Sequence, residues 1–167
     1  HERLVGSEMC IRDSIHLEFD HDWEAAEQEY RRAIQLNPRY PTAHHWYGGF
    51  LSAMGRHREA LQQADTASQL DPLSPIIQTW VGLRYYFVRE PDLAIAEYRK
   101  ALELDRDFAH AHWHLGWAYE QSGQFQQGIA EEERALAIDP NNLQYLASLG
   151  HAYAVAGSPL RPVSIGH

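Results

Sequence analysis

Small and apolar residues return along this chain at a fixed interval of 34 positions. Gly48, for example, recurs as Gly82, Gly116 and Gly150. Within each interval, two segments carry apolar residues three and four positions apart, which is the spacing of one helix face. The chain is therefore predicted to consist of repeated helix pairs, with helices over 15–20, 23–36, 42–54, 58–70, 75–88, 92–104, 109–122, 126–138 and 142–156.

Helices of this length are marginal in water, so each pair must bury a face to persist. Gly48, Ala60 and Ala67 are small and lie where two helices of one pair face each other, which lets the helices approach closely. Stacked neighbours then supply the core that one pair lacks. A repeat of this period predicts an all-α stacked array.

The order of these markers resembles the tetratricopeptide repeat. In segment 41–74, the small, glycine, alanine and proline positions of the family are occupied by Gly48, Gly55, Ala60, Ala67 and Pro72. The departures include Arg89 in a glycine position and His112 where tryptophan is commonest. None of the departures breaks a helix pair. The resemblance implies a right-handed α-solenoid of antiparallel helix pairs.

The resemblance also predicts how the chain is organised. A single array is expected over 15–157, with a partial repeat 15–40, repeats 41–74, 75–108 and 109–142, and a partial repeat 143–157. Residues 1–14 fit poorly, and 5–14 resemble translated sequencing-adapter sequence, so one interpretation is that this segment is not native. Residues 158–167 are predicted to form an irregular tail, which leaves an incomplete array end open to self-association. Since position 1 is His1, we expect a fragment of a longer protein.

The composition limits the classes of partner that the chain is expected to bind. The chain carries 23 acidic and 14 basic residues, so its formal net charge is −9. An acidic chain without a basic run is unsuited to gripping nucleic-acid backbones, and a basic or neutral protein surface is favoured instead. One cysteine excludes an internal disulfide. No apolar run has the length of a membrane span, so membrane insertion is not expected. We expect a cytoplasmic location.

In tetratricopeptide arrays, one face of the first helices lines a concave groove in which partner peptides lie. The resemblance places ten residues on that face: His45, Trp46, Ile76, Trp80, Leu83, Phe87, His110, Trp113, His114 and Trp117. Exposed tryptophans are typical anchors of binding energy, which favours a peptide or helix as the partner. The alternative is that these aromatic residues pack in the core. The lysines and asparagines that grip a C-terminal carboxylate in chaperone-binding members are missing from the corresponding positions.

Histidines are the second notable feature. His110 and His114 are four positions apart on one helix face, a spacing that lets two imidazoles bind one zinc ion. The groove positions of repeats 41–74, 75–108 and 109–142 contain no acidic residue or cysteine that could complete the ligand set. No metal or other cofactor is therefore predicted. A zinc site at the His110 and His114 pair is kept as an alternative hypothesis. A second alternative is a groove that responds to pH, because histidines titrate between about pH 5 and 8.

The sequence carries no sign of an enzyme. It has no glycine-rich phosphate loop, nucleophile elbow or His-Glu-x-x-His motif. The consecutive Glu131, Glu132 and Glu133 fan around a helix, and such a charge run predicts a solvated face.

Three hypotheses of function follow. The first is a non-catalytic module that binds a partner peptide or helix in the groove. The second takes the chain as the sensing or docking array of a bacterial winged-helix regulator, serine/threonine kinase or cyclase, which segment 19–27 (Phe-Asp-His-Asp-Trp-Glu-Ala-Ala-Glu) resembles. The third is a histidine-based metal binder, whose melting temperature would rise on addition of zinc.

Overall fold

The computed structural model describes residues 23–157, which form helices and turns in two compact units. The first unit (23–72) contains α1 (Trp23–Leu36), α2 (Pro41–Ala53) and α3 (His57–Leu70). The second unit (73–157) contains α4 (Pro75–Phe87), α5 (Pro91–Leu104), α6 (Ala109–Gln121), α7 (Phe125–Ile138) and α8 (Leu143–Val155).

Each of these helices begins and ends within one residue of its predicted position. The helix predicted over 15–20, the segment 1–14 and the tail 158–167 lie outside the described residues. Within 23–157 all regular secondary structure is helical, so the all-α prediction is confirmed there.

Side-chain caps start two helices of the second unit. Before α4, the Ser74 hydroxyl accepts a hydrogen bond from the Ile77 backbone N–H at 3.4 Å, and Pro75 takes the first helical position. Before α8, the Asn142 side-chain oxygen accepts from the backbone N–H groups of Gln144 at 3.1 Å and Tyr145 at 3.3 Å. Both caps satisfy N–H groups that have no partner within the helix.

The first helix of each pair ends in a left-handed residue. Gly55 has φ +73° and Gly123 has φ +78°, as expected of glycine at a helix C-terminus. Arg89 holds the equivalent place after α4 with φ +65°. The turn geometry is therefore kept without glycine, at the steric cost that a Cβ atom brings in this region.

The core of the first unit lies between α1, α2 and α3. Tyr30, Phe50 and Leu51 are buried there, and the Tyr30 and Phe50 ring centroids are 5.6 Å apart. Gly48 permits the closest approach, since a Cβ atom at that position would lie 3.2 Å from the Ala60 carbonyl oxygen. This confirms the close helix approach predicted from the small residues.

In the second unit, two glycines of the first helices pack directly on a large side chain of the following helix. Gly82 of α4 faces the ring of Tyr98 on α5, and Gly116 of α6 faces Glu132 on α7. Glu132 is fully buried, whereas Glu131 and Glu133 are part-exposed. The prediction of a solvated glutamate face is therefore wrong for Glu132, because the middle of three consecutive residues points from α7 towards α6.

Candidate functional site

Five of the predicted groove residues lie together in the second unit and form what we call the Trp–His cluster. Helix α6 contributes His110, Trp113, His114 and Trp117, because residues three and four apart share one helix face. The ring centroids of Trp113 and Trp117 are 4.5 Å apart, and those of Trp113 and His114 are 4.8 Å apart. Trp80 joins from α4, with its ring 6.4 Å from His110 and 6.3 Å from His114.

Helix α8 fixes the other side of the cluster through hydrogen bonds. The Trp117 indole N–H donates to the Ser148 hydroxyl at 2.8 Å. His110 Nδ1 and the Tyr145 hydroxyl share a hydrogen bond at 3.1 Å, and the Tyr145 ring centroid is 5.2 Å from that of Trp113. These contacts hold the half-buried rings of α6 in fixed orientations.

The predicted groove residues of the second unit differ widely in exposure. Ile76 is 51% exposed and Phe87 is 48% exposed. Trp80, Trp113 and Trp117 are half-buried, as is His110. Leu83 and His114 are buried, with His114 only 4% exposed, so these two side chains support the surface from below and do not reach solvent.

In the first unit, His45 and Trp46 are neighbours at the start of α2. Trp46 is 43% exposed and His45 is half-buried. Their ring centroids are 5.1 Å apart at an interplanar angle of 57°. Trp46 therefore presents a large apolar ring to solvent, a residue type that soluble proteins usually cover.

The histidines of the cluster are electrically neutral at neutral pH. Burial, together with the nearby His110 and Arg84, lowers the pKa of His114 to about 3. Burial also lowers the pKa of His110. A change of charge on His114 between pH 5 and 8, which a pH-responsive groove would use, does not occur with this pKa.

A buried arginine lies beneath the cluster. Arg84 is 4% exposed, and its guanidinium carbon is 5.6 Å from the centroid of the Trp80 ring, within reach of a cation–π contact. Burial lowers the pKa of Arg84 to about 10, against a smaller opposing effect of Tyr98. The sequence did not predict a place in the cluster for Arg84, Tyr98 or Tyr145. The Tyr98 ring stacks on that of His114, with ring centroids 5.9 Å apart.

Two further histidines form hydrogen bonds to the turns that precede α2 and α6. His44 hydrogen-bonds Gln63 Oε1 at 2.7 Å through Nδ1 and the Pro38 carbonyl at 2.9 Å through Nε2. His112 repeats this arrangement two periods later, with Glu131 at 2.6 Å and the Arg106 carbonyl at 3.0 Å. Both are buried, so they serve the turns before α2 and α6 and are not free to bind a ligand.

The metal alternative finds two imidazoles but no third ligand. The His110 and His114 ring centroids are 5.1 Å apart. Across residues 23–157, no group of three or more His, Cys, Asp or Glu side chains could hold a metal ion. In the same range, each helix is too short or too polar to cross a membrane.

Comparison with known proteins identifies the repeat. Family models described as tetratricopeptide repeat match residues 20–79 and 109–142, and one described as TPR repeat matches residues 92–123. Together these matches cover more than half of the chain. The chain belongs to the tetratricopeptide repeat family.

Relatives of this tetratricopeptide chain are much longer proteins. Anaphase-promoting complex subunit 3 of Schizosaccharomyces pombe is 27% identical over 120 residues, which are 72% of this chain and 18% of that protein. The matches to five curated relatives cover between 10% and 25% of those proteins' own lengths.

Solved structures share the tetratricopeptide fold. TTC0263, a thermophilic tetratricopeptide protein of Thermus thermophilus, superimposes with a TM-score of 0.81 at 18% identity, with 91% of this chain and 83% of that chain covered. The first tetratricopeptide domain of Spaghetti (RPAP3), bound to the HSP90 peptide SRMEEVD, gives a TM-score of 0.64 at 20% identity, covering 71% of this chain and 94% of that one. At this level of identity, the likeness concerns the fold.

Proposed function

We propose that this chain is a non-catalytic interaction module that binds a peptide or helix of a partner protein against the exposed aromatic face of its first helices. The observation that carries the proposal is that predicted groove residues are exposed in each unit, Trp46 in the first and Ile76 and Phe87 in the second. Large apolar side chains at a solvent-facing surface are typical of protein interaction sites. A protein of the same fold that holds an HSP90 peptide supports a role in protein–protein interaction.

The Trp–His cluster supplies the rigid part of this proposed surface. Its rings are fixed by packing and by hydrogen bonds to Tyr145 and Ser148, so little side-chain entropy is lost when a partner covers them. Its histidines are neutral, and the chain as a whole carries a charge of −9. We therefore expect the partner segment to be apolar at its anchor residues and basic or neutral around them.

The experiment uses a displayed library of random peptides selected on the purified chain. Peptides that bind are then measured against the double variant Ile76→Ala, Phe87→Ala, which removes two exposed side chains of α4, and we expect at least about a tenfold loss of affinity if these side chains are anchors. The matched control is Leu36→Ala, Leu104→Ala, which removes two exposed apolar side chains from second helices of the repeats. Equal losses in both double variants, or no selected peptide at all, would refute the proposal.

The other hypotheses stay predictions. None of the relatives described above is named as a winged-helix regulator, a kinase or a cyclase, and the histidine pair gains no third ligand within residues 23–157. Self-association through the incomplete array end is likewise left as a prediction.

A further inference from the structure

A cavity of about 590 Å³ opens in the second unit where α5, α6 and α7 meet. On α6 it is lined by His112, Leu115 and Tyr119, which lie on a different face of the helix from His110, Trp113 and Trp117. It is therefore separate from the Trp–His cluster.

The floor of the cavity is apolar and rigid. Leu115 and Tyr119 are buried core residues of α6, and Leu102 of α5 packs against the same core. Ala137 and Ile138 of α7 complete the apolar lining and are exposed. Such a surface favours an apolar group over water.

Three arginines surround this floor, and two of them are held in place. Arg99 donates to the Tyr119 hydroxyl at 2.7 Å, and its guanidinium carbon lies 5.9 Å from the centre of that ring. Arg134 is tied to Glu131 at 2.7 Å. Arg106 is exposed, and neither Arg99 nor Arg106 forms an ion pair with an acidic side chain of residues 23–157.

The acidic residues of the cavity do not cancel this charge. Glu131 is paired with both His112, at 2.6 Å, and Arg134. Burial favours the neutral acid, but these two partners outweigh it and lower the pKa of Glu131. Three arginines thus stand against two carboxylates, those of Asp107 and Glu131, in a protein that is acidic overall. A local excess of positive charge in the cavity lining favours an anion as the ligand.

We propose that this cavity binds a small organic anion that has an apolar body and one oxyanion group, such as an aryl sulfonate or aryl carboxylate. The apolar body lies on Leu102, Leu115 and Ile138. The oxyanion accepts hydrogen bonds from Arg99 and Arg106, whose guanidinium groups have no acidic partner in the described residues. The site is independent of the proposed partner groove, so either proposal can fail without the other.

Two fluorescent probes of nearly the same shape test the class of ligand. One is 8-anilinonaphthalene-1-sulfonate, and the other is N-phenyl-1-naphthylamine, which lacks the sulfonate. We expect saturable binding of the sulfonate, with about tenfold higher affinity than the uncharged probe, since charge-assisted hydrogen bonds to the arginines add to the apolar contact. Equal affinities for the two probes, or no saturable binding of the sulfonate, would overturn the proposal.

Paired variants place the binding in this cavity. Arg99→Gln with Arg106→Gln should weaken sulfonate binding about tenfold and leave the uncharged probe unaffected. The matched control, Arg32→Gln with Arg58→Gln, removes the same charge from exposed positions that do not line the cavity, and should change the sulfonate affinity less than about twofold. An equal loss in both pairs would show a general charge effect and contradict the proposal.

A substitution that leaves the charge unchanged gives a second test, which does not depend on correct folding of the arginine variants. Ala137 is exposed at the cavity wall, so Ala137→Leu narrows the cavity without changing charge and should weaken both probes. Gln127→Leu, at an exposed position of the same helix outside the cavity, should weaken neither. If the Ala137 variant binds both probes as the natural chain does, the probes occupy another site and the proposal is wrong.

Discussion

Gly116 of α6 lies directly on the side chain of Glu132 of α7. A Cβ atom at Gly116 would be 2.5 Å from Cγ of Glu132 and 3.1 Å from the Gly128 carbonyl oxygen. The same pairing occurs one repeat earlier, where a Cβ atom at Gly82 would be 2.6 Å from the ring of Tyr98. The glycine is thus needed for space, not for an unusual backbone conformation.

Substitution of Gly116 by alanine is expected to destabilise the second unit. The added methyl group meets the middle of the Glu132 side chain and a backbone oxygen, neither of which can move away easily, so a loss of about 1–3 kcal/mol is expected. Gly150→Ala is the matched control, because a Cβ atom there meets nothing within 4 Å. It should stabilise α8 by about 0.5–1 kcal/mol through helix propensity. Urea unfolding followed by circular dichroism measures both, and equal effects would contradict the steric explanation.

The burial of Glu132 also makes a prediction about pH. Burial raises its pKa to about 8, the Glu120 charge adds to the shift, and the Ser148 hydroxyl opposes it. The folded state therefore retains a proton that the unfolded chain releases near pH 4.3. The free energy of unfolding contributed by this group falls as pH rises between about 4.3 and 8, by up to about 1.4 kcal/mol per pH unit, and levels off above pH 8.

Glu132→Gln tests this dependence. Glutamine has nearly the same shape and does not ionise, so the variant should gain stability relative to the natural chain as pH rises from 5 to 8. The difference between the two unfolding curves is the measured quantity, because other groups titrate equally in both proteins. Glu103→Gln, at an exposed position of α5, serves as the control and should show no growing difference. A constant difference between the Glu132 variant and the natural chain would contradict a buried, protonated Glu132.

The repeat period was sufficient to predict the helices, because the spacing of small residues and the Pro and Gly stops act locally. It did not predict which side chain meets a given glycine. Glu132 occupies the position that Tyr98 occupies one repeat earlier, and its charge suggested solvent. Packing against α6 decides its burial, and that contact is between helices.

For the candidate site, the periodicity of α6 predicted a shared face for His110, Trp113, His114 and Trp117, and the rings of these residues lie close together. The sequence could not rank their exposure, because burial depends on neighbours from other helices. Arg84 and Tyr145 lie outside the positions that the family pattern assigns to the groove, so their contacts with the cluster came only from the packing of α4 and α8 on α6.

Arg89 is expected to be a site of stored backbone strain. Its φ of +65° is unfavourable for a residue with a Cβ atom, and Gly55 and Gly123 occupy the equivalent turns. Arg89→Gly should therefore stabilise the second unit by about 0.5–1 kcal/mol, after the greater freedom of glycine in the unfolded chain is subtracted. Gly123→Ala is the reverse test. Its Cβ atom meets nothing within 4 Å, so the expected loss of about 1 kcal/mol is conformational alone. Thermal unfolding of both variants gives the sign of each stability change. Destabilisation by Arg89→Gly would contradict backbone strain at Arg89.

In the first unit, one carboxylate oxygen of Glu27 links α1, α2 and the turn before α3. Its Oε1 atom accepts from Arg31 of α1 at 2.7 Å, from the Tyr47 hydroxyl of α2 at 2.8 Å and from Arg56 before α3 at 2.7 Å. Burial opposes ionisation, but these three hydrogen bonds outweigh it and lower the pKa of Glu27. The stabilisation they bring is present above the unfolded pKa of about 4.3 and is lost as pH falls through the folded value.

Glu27→Gln is expected to cost the first unit about 1 kcal/mol at neutral pH, because charge-assisted hydrogen bonds become neutral ones and the carboxylate is only part-buried. The cost should shrink as pH falls below about 4, since the natural carboxylate is then protonated as well. Glu24→Gln removes an exposed acid from the first turn of the same helix, so it should cost only about 0.3–0.5 kcal/mol at pH 7, through the helix dipole, and nothing at pH 3. Urea unfolding at pH 7 and pH 3 decides between the outcomes, and a loss that is equal at both would mean that the glutamine disturbs packing instead of charge.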